Sequence, residues 1–423
     1  MRTCDVLVIG GGPAGSTAGH LLARAGRDVI VLERERFPRF HIGESLLPAS
    51  MPLLERLGVR AEVEASGSVP KFGARVLTAT GTPSVRIRFD EGLVPSAPSA
   101  FQVVRATFDD ILLRACASAG AEVRQEHEVA RAERTDHGWS VHARTADREH
   151  EFRAKHLVDA SGRDTFLARA RGTKVMAPGH QRAAIYAHFE GVPRVSGAES
   201  GDILLAVRTD GWLWLIPLAD GRTSIGLVVQ GDALRRFERT PEEAFEYALR
   251  HTPALAEKTR DAERVSPIHV TSNYSYRSGT AARDGAVLIG DALGFLDPVF
   301  STGVFLALQG GESAAAALDH SLARPTAADA ILAEWAARQA KANLYYWRLI
   351  DSFYTPEFID LLLQPSGAAI FRSLVPALNS VFAGMGPGTL GLRARVWLFE
   401  TLQYLHRRFD LQPRLVIGSV FDN

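Results

Sequence analysis

The chain has 423 residues, of which 46% are hydrophobic and 23% charged, and its 48 basic residues offset its 48 acidic ones. This composition is typical of a globular protein with more than one compact part, and it gives no sign of nucleic-acid binding. Two cysteines, Cys4 and Cys116, argue against a disulfide framework and a structural zinc site. We therefore expect no metal and a reducing, cytoplasmic location, and we predict neither a membrane span nor a targeting segment.

The first elements form a predicted strand, turn, helix and strand. An apolar run from Asp5 to Ile9 precedes a glycine-rich turn, a helical stretch to about Ala25 and a second strand from Val29 to Leu32. The GxGxxG spacing gives a tight bend, lets the backbone approach a pyrophosphate and packs the helix closely on the strand. An acidic residue after the second strand can accept hydrogen bonds from an adenosine ribose. The predicted dinucleotide-binding residues are Gly10, Gly12, Pro13, Ala14, Gly15, Glu33 and the adjacent Arg34.

Later segments suggest a discontinuous organisation. The stretches from about Val76 to Ala100 and from about Ala183 to Val229 predict antiparallel excursions, whereas the sequence after about Pro325 becomes helical and aromatic. We expect a nucleotide-binding domain, a substrate domain built on an antiparallel sheet, and a helical C-terminal region. The expected bounds are 1–75, 101–180 and 266–330 for the first, 76–100 and 181–265 for the second, and 331–423 for the third.

Three further segments resemble the FAD-dependent monooxygenase superfamily. They are Val103-Val104-Arg105-Ala106-Thr107-Phe108-Asp109, Val158-Asp159-Ala160-Ser161-Gly162-Arg163 and Gly290-Asp291-Ala292. The resemblance implies an α/β fold with a Rossmann-like FAD-binding domain of the class A flavin monooxygenase type. By itself, Asp291 also fits a helix N-cap. The flavin contacts that the resemblance implies are Glu44, Ser45, Arg105, Val129, Asp159, Ser161, Gly162, Gly290, Asp291, Pro298 and Gly303.

Two motifs resemble those of one branch, the flavin-dependent halogenases. The segment Trp212-Leu213-Trp214-Leu215-Ile216-Pro217 matches WxWxIP, and the segment from Phe295 to Gly303 matches FxxPxxSxG. In that family the tryptophans separate flavin from substrate, so the resemblance implies catalytic roles for Trp212, Trp214 and Ser301. The amides of Thr302 and Gly303 would bind halide, since successive amides at a helix start form an anion nest. The alternatives are a half-buried core strand and a helix entry capped by Ser301.

Lys71 and Phe300 narrow the expected reaction. Lys71 matches a family lysine that receives hypohalous acid, either as a hydrogen-bonded HOX or as a chloramine; alone, it would be read as a surface charge. Tryptophan halogenases carry a glutamate where this chain has Phe300. The pattern resembles instead halogenases of phenols or pyrroles, whose rings are already activated. Asp297 could replace the carboxylate, although a structural or flavin-side role fits the family pattern better, and His41 is read as positional.

The resemblance thus implies a halogenase in natural-product biosynthesis. It would use reduced FAD (FADH2) from a separate flavin reductase, O2, and chloride or bromide to make HOX. The substrate would be a small phenol or pyrrole, free or tethered to an acyl or peptidyl carrier protein. Three alternatives remain: a single-component FAD-dependent aromatic hydroxylase, a flavoprotein like geranylgeranyl reductase, and a flavoprotein without enzymatic activity.

Overall fold

The computed structural model describes residues 1–238, 240–364, 369–386, 388–419 and 421. Residues 239, 365–368, 387, 420, 422 and 423 belong to the expected substrate domain and C-terminal region and lie outside the described residues.

The described strands and helices follow one another with short connections. The strands are β1 Arg2–Ile9, β2 Val29–Leu32, β3 Val69–Lys71, β4 Gly73–Thr78, β5 Ser84–Arg88, β6 Ala100–Gln102, β7 Glu122–Arg124, β8 Glu128–Thr135, β9 Gly138–Arg144, β10 Glu149–Asp159, β11 Val175–Met176, β12 Arg182–Glu190, β13 Ile203–Arg208, β14 Gly211–Pro217, β15 Thr223–Gln230, β16 Glu263–Arg264, β17 His269–Ser272, β18 Tyr276–Arg277, β19 Ala282–Arg283, β20 Ala286–Leu288 and β21 Gly294–Phe295. The helices are α1 Pro13–Arg24, α2 Met51–Arg56, α3 Arg60–Ala65, α4 Arg105–Ser118, α5 Phe166–Ala170, α6 Gly231–Arg236, α7 Pro241–Arg250, α8 Pro253–Thr259, α9 Thr302–Ala323, α10 Ala328–Phe353, α11 Pro356–Leu363, α12 Ala369–Phe382 and α13 Leu390–Phe409.

The first sheet has the strand order β19-β20-β10-β1-β2-β7, with β8 and β9 attached beside β10. Strands β20, β10, β1, β2 and β7 pair in parallel, and every residue of β2 is buried. Helices α1, α9 and α10 cover one face of this sheet, which is why its strands read as continuous apolar runs. The predicted strand, glycine turn, helix and strand are confirmed, and the carboxyl ends of β1, β2 and β10 meet at one edge.

The second sheet has the order β16-β12-β15-β14-β13-β4-β5, with β17 also paired to β12. It is antiparallel except for the pair β13 and β4, which is parallel. The sheet includes residues from Gly73 and extends to Ser272, beyond the expected bounds of the substrate domain. Strand β14 is buried on both faces: Trp212 and Trp214 belong to the core shared with the first domain, whereas Leu213 and Leu215 pack with the core beneath α7.

The C-terminal region is helical in its described part, and it packs on the turn that precedes α9. An aromatic cluster makes this contact. Phe300 lies edge-on to three rings of the C-terminal helices, with centroid distances of 5.6 Å to Phe353, 6.5 Å to Phe358 and 5.1 Å to Phe382. Within the described ranges, none of the helices has the length and apolarity that a bilayer crossing requires.

Candidate active site

A cavity of about 1030 Å³ lies between the two sheets, at the carboxyl edge of the parallel strands. Large cofactors and substrates bind in clefts of this size and at this position in α/β proteins. The predicted site residues that line it are Gly10, Gly12, Pro13, Ala14, Glu33, Arg34, Glu44, Ser45, Arg105, Val129, Ser161, Gly162, Trp212, Trp214, Gly290, Asp291, Pro298, Ser301, Thr302 and Gly303. Gly15, Asp159 and Lys71 do not line the cavity and stand behind its wall.

The glycine turn has the shape that a dinucleotide requires. Gly10 has a left-handed backbone (φ +100°), and a side chain there would overlap the backbone of Ala160. A side chain at Gly15 would overlap the carbonyl of Gly10, because α1 packs directly on β1 at this point. A Cβ added at Gly12 would have one neighbour within 4 Å, the terminal nitrogen Nη2 of Arg39 at 3.5 Å. The backbone at Gly12 therefore borders open cavity, where it fits a pyrophosphate at the start of α1.

Glu33 lies at the end of β2, and its carboxylate is held by two backbone amides. The N–H of Gly11 donates to Oε2 at 2.7 Å and the N–H of Glu35 donates to Oε1 at 2.8 Å. Each oxygen keeps a second lone pair, which a ribose hydroxyl can use. Gly11 itself lies close to the Glu33 side chain, so the turn and the carboxylate are fixed together.

Asp159 supports the wall from behind. One carboxylate oxygen accepts from the Ser161 hydroxyl at 2.6 Å and from its N–H at 3.1 Å, and the other accepts from the N–H of Leu167 at 2.7 Å. The side chain is fully buried, and its bonds shape the turn in which Ser161 and Gly162 face the cavity. Asp159 is thus placed to position other cofactor-contacting residues.

Asp291 follows β20 and lines the cavity. It caps no helix, since α9 begins at Thr302, so the alternative reading as a helix N-cap is wrong. Burial raises the pKa of Asp291 to about 6, against the lowering effects of Arg105 and Arg163. A ligand hydroxyl at this carboxylate would stabilise its charged form.

Arg105 joins the loop before β3 to helix α4. Its Nε and Nη2 donate to the two oxygens of Asp109 at 2.7 and 2.8 Å, and its Nη1 donates to the carbonyl of Ile42 at 2.6 Å. His41, in the same loop, donates from Nδ1 to that carbonyl at 2.6 Å. Burial lowers the pKa of His41 to about 4, so its ring is neutral near pH 7 and fits the positional role assigned to it.

Glu44 is oriented by a chain of side chains that ends at the surface. Because Arg222 can only donate, its Nη1 places a proton toward His188 Nδ1 at 3.3 Å. The ring then donates from Nε2 to Glu44 Oε1 at 2.6 Å. The other oxygen, Oε2, has no hydrogen-bond partner among the described residues, and Glu44 lines the cavity. An unpartnered buried carboxylate oxygen beside the glycine turn fits a polar cofactor.

The two tryptophans stand side by side on β14, with ring centroids 5.7 Å apart and planes inclined by 46°. Trp214 donates from Nε1 to the Ser224 hydroxyl at 3.2 Å. Its register partner on β15 is Gly226, where a Cβ would overlap the indole ring. Trp212 donates from Nε1 to the hydroxyl of Tyr354 at 2.8 Å. Both rings are therefore fixed at their polar edge as well as by packing.

Lys71 is 1% exposed at the end of β3. Its Nζ donates to the Ser45 hydroxyl at 2.9 Å and to the carbonyl of Leu46 at 3.1 Å, and it lies 5.2 Å from the centroid of the Phe89 ring. The reading as a surface charge is wrong. Burial lowers the pKa of Lys71 to about 7, against the raising effect of Asp202, and Ser45 connects it to the cavity.

The turn from Asp297 to Gly303 closes the far end of the cavity. Ser301 has a left-handed backbone (φ +55°), makes no side-chain capping bond, and precedes the first residues of α9, Thr302 and Gly303. The N–H groups of a helix start lack partners within the helix, so this end can receive an anion. Phe300 points into the aromatic cluster, and it offers no carboxylate to the cavity.

Asp297 is buried and fully engaged. Val299 N–H donates to Oδ1 at 3.1 Å, and the hydroxyls of Tyr354 and Tyr274 donate to Oδ2 at 2.9 and 3.4 Å. Arg182 Nη1 lies 3.8 Å from Oδ2. Burial raises the pKa of Asp297 to about 6, although Arg182 and these hydrogen bonds oppose the shift. These contacts favour the structural role over a catalytic one.

Sequence reasoning missed four residues around the site. They are Arg182, His188, Tyr274 and Tyr354. Each reaches the site from a segment far from its partners in the chain, and none lies in a recognisable motif.

Comparisons with known proteins agree with this geometry. The family model "FAD binding domain" matches residues 3–343. A chlorinase of 1H-pyrrole-2-carbonyl-peptidyl-carrier protein from Pseudomonas fluorescens is 37% identical over 328 residues, covering 72% of this chain and 73% of its own. A tryptophan 2-halogenase from Chondromyces crocatus is 33% identical over 409 residues, covering 92% and 76%. The structure of the flavin-dependent brominase Bmp2 matches with a TM-score of 0.85 at 28% identity, covering 96% of this chain and 100% of its own.

Proposed function

The chain belongs to the FAD-binding flavin-dependent halogenases, and we propose that it uses FADH2, O2 and chloride or bromide to halogenate a small electron-rich ring. One observation carries this proposal. A single cavity is lined by the glycine turn, by Trp212 and Trp214, and by the start of α9, while Lys71 stands one residue behind the wall at Ser45.

Each part of the cavity has a role in this proposal. Bound FADH2 supplies, with O2, the oxidising equivalent that turns halide into hypohalous acid. Thr302 and Gly303 hold the halide with their amides, and the two tryptophans separate the flavin from the substrate. Lys71 receives the hypohalous acid. Its pKa of about 7 keeps both the ammonium donor and the nucleophilic amine accessible near neutral pH.

Phe300 supports a phenol or a pyrrole as substrate. Its ring is packed among other aromatics, so an already activated substrate has to react without a carboxylate at this position. A relative is named for a pyrrole on a peptidyl carrier protein, and we propose that this chain also accepts a ring held by a carrier protein. FADH2 would come from a separate flavin reductase.

The proposal is tested by supplying FAD, a flavin reductase, NADH, O2 and halide with a panel of phenols and pyrroles, free and carrier-bound. We expect halogenated products by mass spectrometry and none without the reductase. Hydroxylated products without halogen in every condition would contradict the proposal. Rapid NADPH oxidation without added reductase would favour the single-component hydroxylase.

Lys71→Ala tests the residue that defines the reaction. We expect halogenation to disappear while FAD binding, followed by flavin absorbance, persists, because Lys71 does not line the cavity directly. Lys341→Ala is the matched control, since Lys341 is exposed on α10. Wild-type turnover in Lys71→Ala would remove Lys71 from the mechanism.

A further inference from the structure

The hydroxyl of Tyr354 bridges two walls of the cavity. It accepts from Trp212 Nε1 at 2.8 Å and donates to Asp297 Oδ2 at 2.9 Å. Tyr354 follows α10 and lies beyond residues 3–343, the part that matches the FAD-binding family model. A residue of the C-terminal region thus holds a tryptophan of the WxWxIP strand.

The direction of these hydrogen bonds is set by their surroundings. A hydroxyl has one proton, and an indole N–H can only donate, so the Tyr354 proton goes to Asp297 while its lone pair receives Trp212. The Arg182 guanidinium carbon lies 3.5 Å from the centroid of the Tyr354 ring, and Arg182 also approaches Asp297. The Tyr354 ring is therefore fixed by a cation on its face and an anion at its hydroxyl.

Asp297 extends the connection to the halide end of the cavity. It accepts from the N–H of Val299 and so holds the turn that leads into Ser301, Thr302 and Gly303. The chain of contacts runs from Trp212 through Tyr354 and Asp297 to the start of α9. A tilt of the indole is thereby linked to the position of the proposed halide nest.

We propose that Tyr354 is a positioning residue that fixes the tilt of Trp212, so that hypohalous acid passes to the substrate side and does not escape to solvent. The inference rests on the proposed function, because it needs Trp212 as the partition. Without the Tyr354 hydroxyl, the buried indole N–H has no acceptor and the ring can turn toward another one. Asp297 and Arg182 would still form their pair, and the fold of the turn would persist.

Tyr354→Phe measures this role through the fate of the oxidised halogen. We expect unchanged FAD binding and O2 consumption, about a tenfold fall in halogenated product per O2 consumed, the order expected for one buried hydrogen bond, and a matching rise in free hypohalous acid trapped by monochlorodimedone. A residue with a structural role alone would lower FAD affinity and total turnover together. Tyr345→Phe is the control, because the buried Tyr345 hydroxyl on the same helix has no partner among the described residues.

The double variant Trp212→Phe/Tyr354→Phe tests whether Tyr354 acts through Trp212. We expect the same product-to-O2 ratio as in Trp212→Phe alone, since the second change then removes nothing further. Additive losses, or a wild-type ratio in Tyr354→Phe, would overturn the inference while leaving the proposed function intact. A wild-type enzyme that makes no halogenated product would overturn the proposed function and, with it, this inference.

Discussion

Lys71 is a cation kept in the protein interior with no carboxylate in ion-pair contact among the described residues. Burying an ammonium costs stability unless a partner compensates, and here two neutral oxygens and the face of an aromatic ring are the compensation. Proteins retain such destabilising groups where chemistry needs them. The position of Lys71 behind Ser45 therefore supports a reactive role more strongly than its sequence position does.

Replacing Lys71 with Met should raise the melting temperature, and more at about pH 6 than at about pH 9. The pKa of Lys71 is about 7 in the folded protein and near 10.5 without burial, so between these values the unfolded chain binds a proton that the folded chain has released. Wild-type stability therefore rises with pH across this interval, and the penalty is complete below pH 7. Calorimetry at both pH values checks this. An equal gain at both, or a loss at pH 6, would contradict it.

Strand pairing positions the tryptophans at the scale of elements. Trp214 lies opposite Gly226 in the register of β14 and β15, and the missing side chain makes room for the indole. A glycine inside a strand weakens it, so its presence here indicates a close approach by a neighbour. The neighbour is the ring that separates the two ends of the cavity.

Gly226→Ala should displace the Trp214 ring, because a Cβ at this position overlaps the indole. Overpacking of this kind costs about 1–3 kcal/mol, so we expect a melting temperature lower by several degrees and weakened halogenation. Ile225→Val is the control, since Ile225 precedes Gly226 on the same strand and faces the opposite core. Thermal unfolding and product yield are the measurements. Unchanged values for both in Gly226→Ala would show that Trp214 does not depend on this space.

The sequence predicts the parts of the site that are local. The glycine turn, the strands β1 and β2 and the indole pair follow from spacing within a few residues. The bond between Trp212 and Tyr354 joins residues 142 positions apart, and no periodicity records it. Asp159 matches a flavin motif, yet its carboxylate is used by Ser161 and Leu167, because a motif gives position and not direction. Such long-range contacts arise only when the two sheets and the C-terminal helices assemble.

At the scale of the whole molecule, one cavity depends on segments from nearly the full length of the chain. The first sheet supplies the glycine turn, the second supplies the tryptophans, and the C-terminal helices support both Phe300 and Trp212. FAD bound between the sheets would contact elements that are otherwise joined by side-chain packing alone. Binding of FAD is therefore expected to stabilise the entire fold, by about 2.7 kcal/mol at a hundredfold excess over its dissociation constant.

Gly12→Ala separates this stabilisation from folding. The backbone at Gly12 is extended (φ −69°), which suits alanine, and the added Cβ meets only Arg39 Nη2 at 3.5 Å. The variant should therefore keep the melting temperature of the FAD-free protein but lose most of the rise caused by FAD, because the methyl group occupies the approach to the pyrophosphate. Gly10→Ala should instead lower the melting temperature without FAD, since its left-handed backbone and the Ala160 carbonyl exclude a side chain. Thermal unfolding against FAD concentration distinguishes the two, and a full FAD-dependent rise in Gly12→Ala would place the pyrophosphate elsewhere.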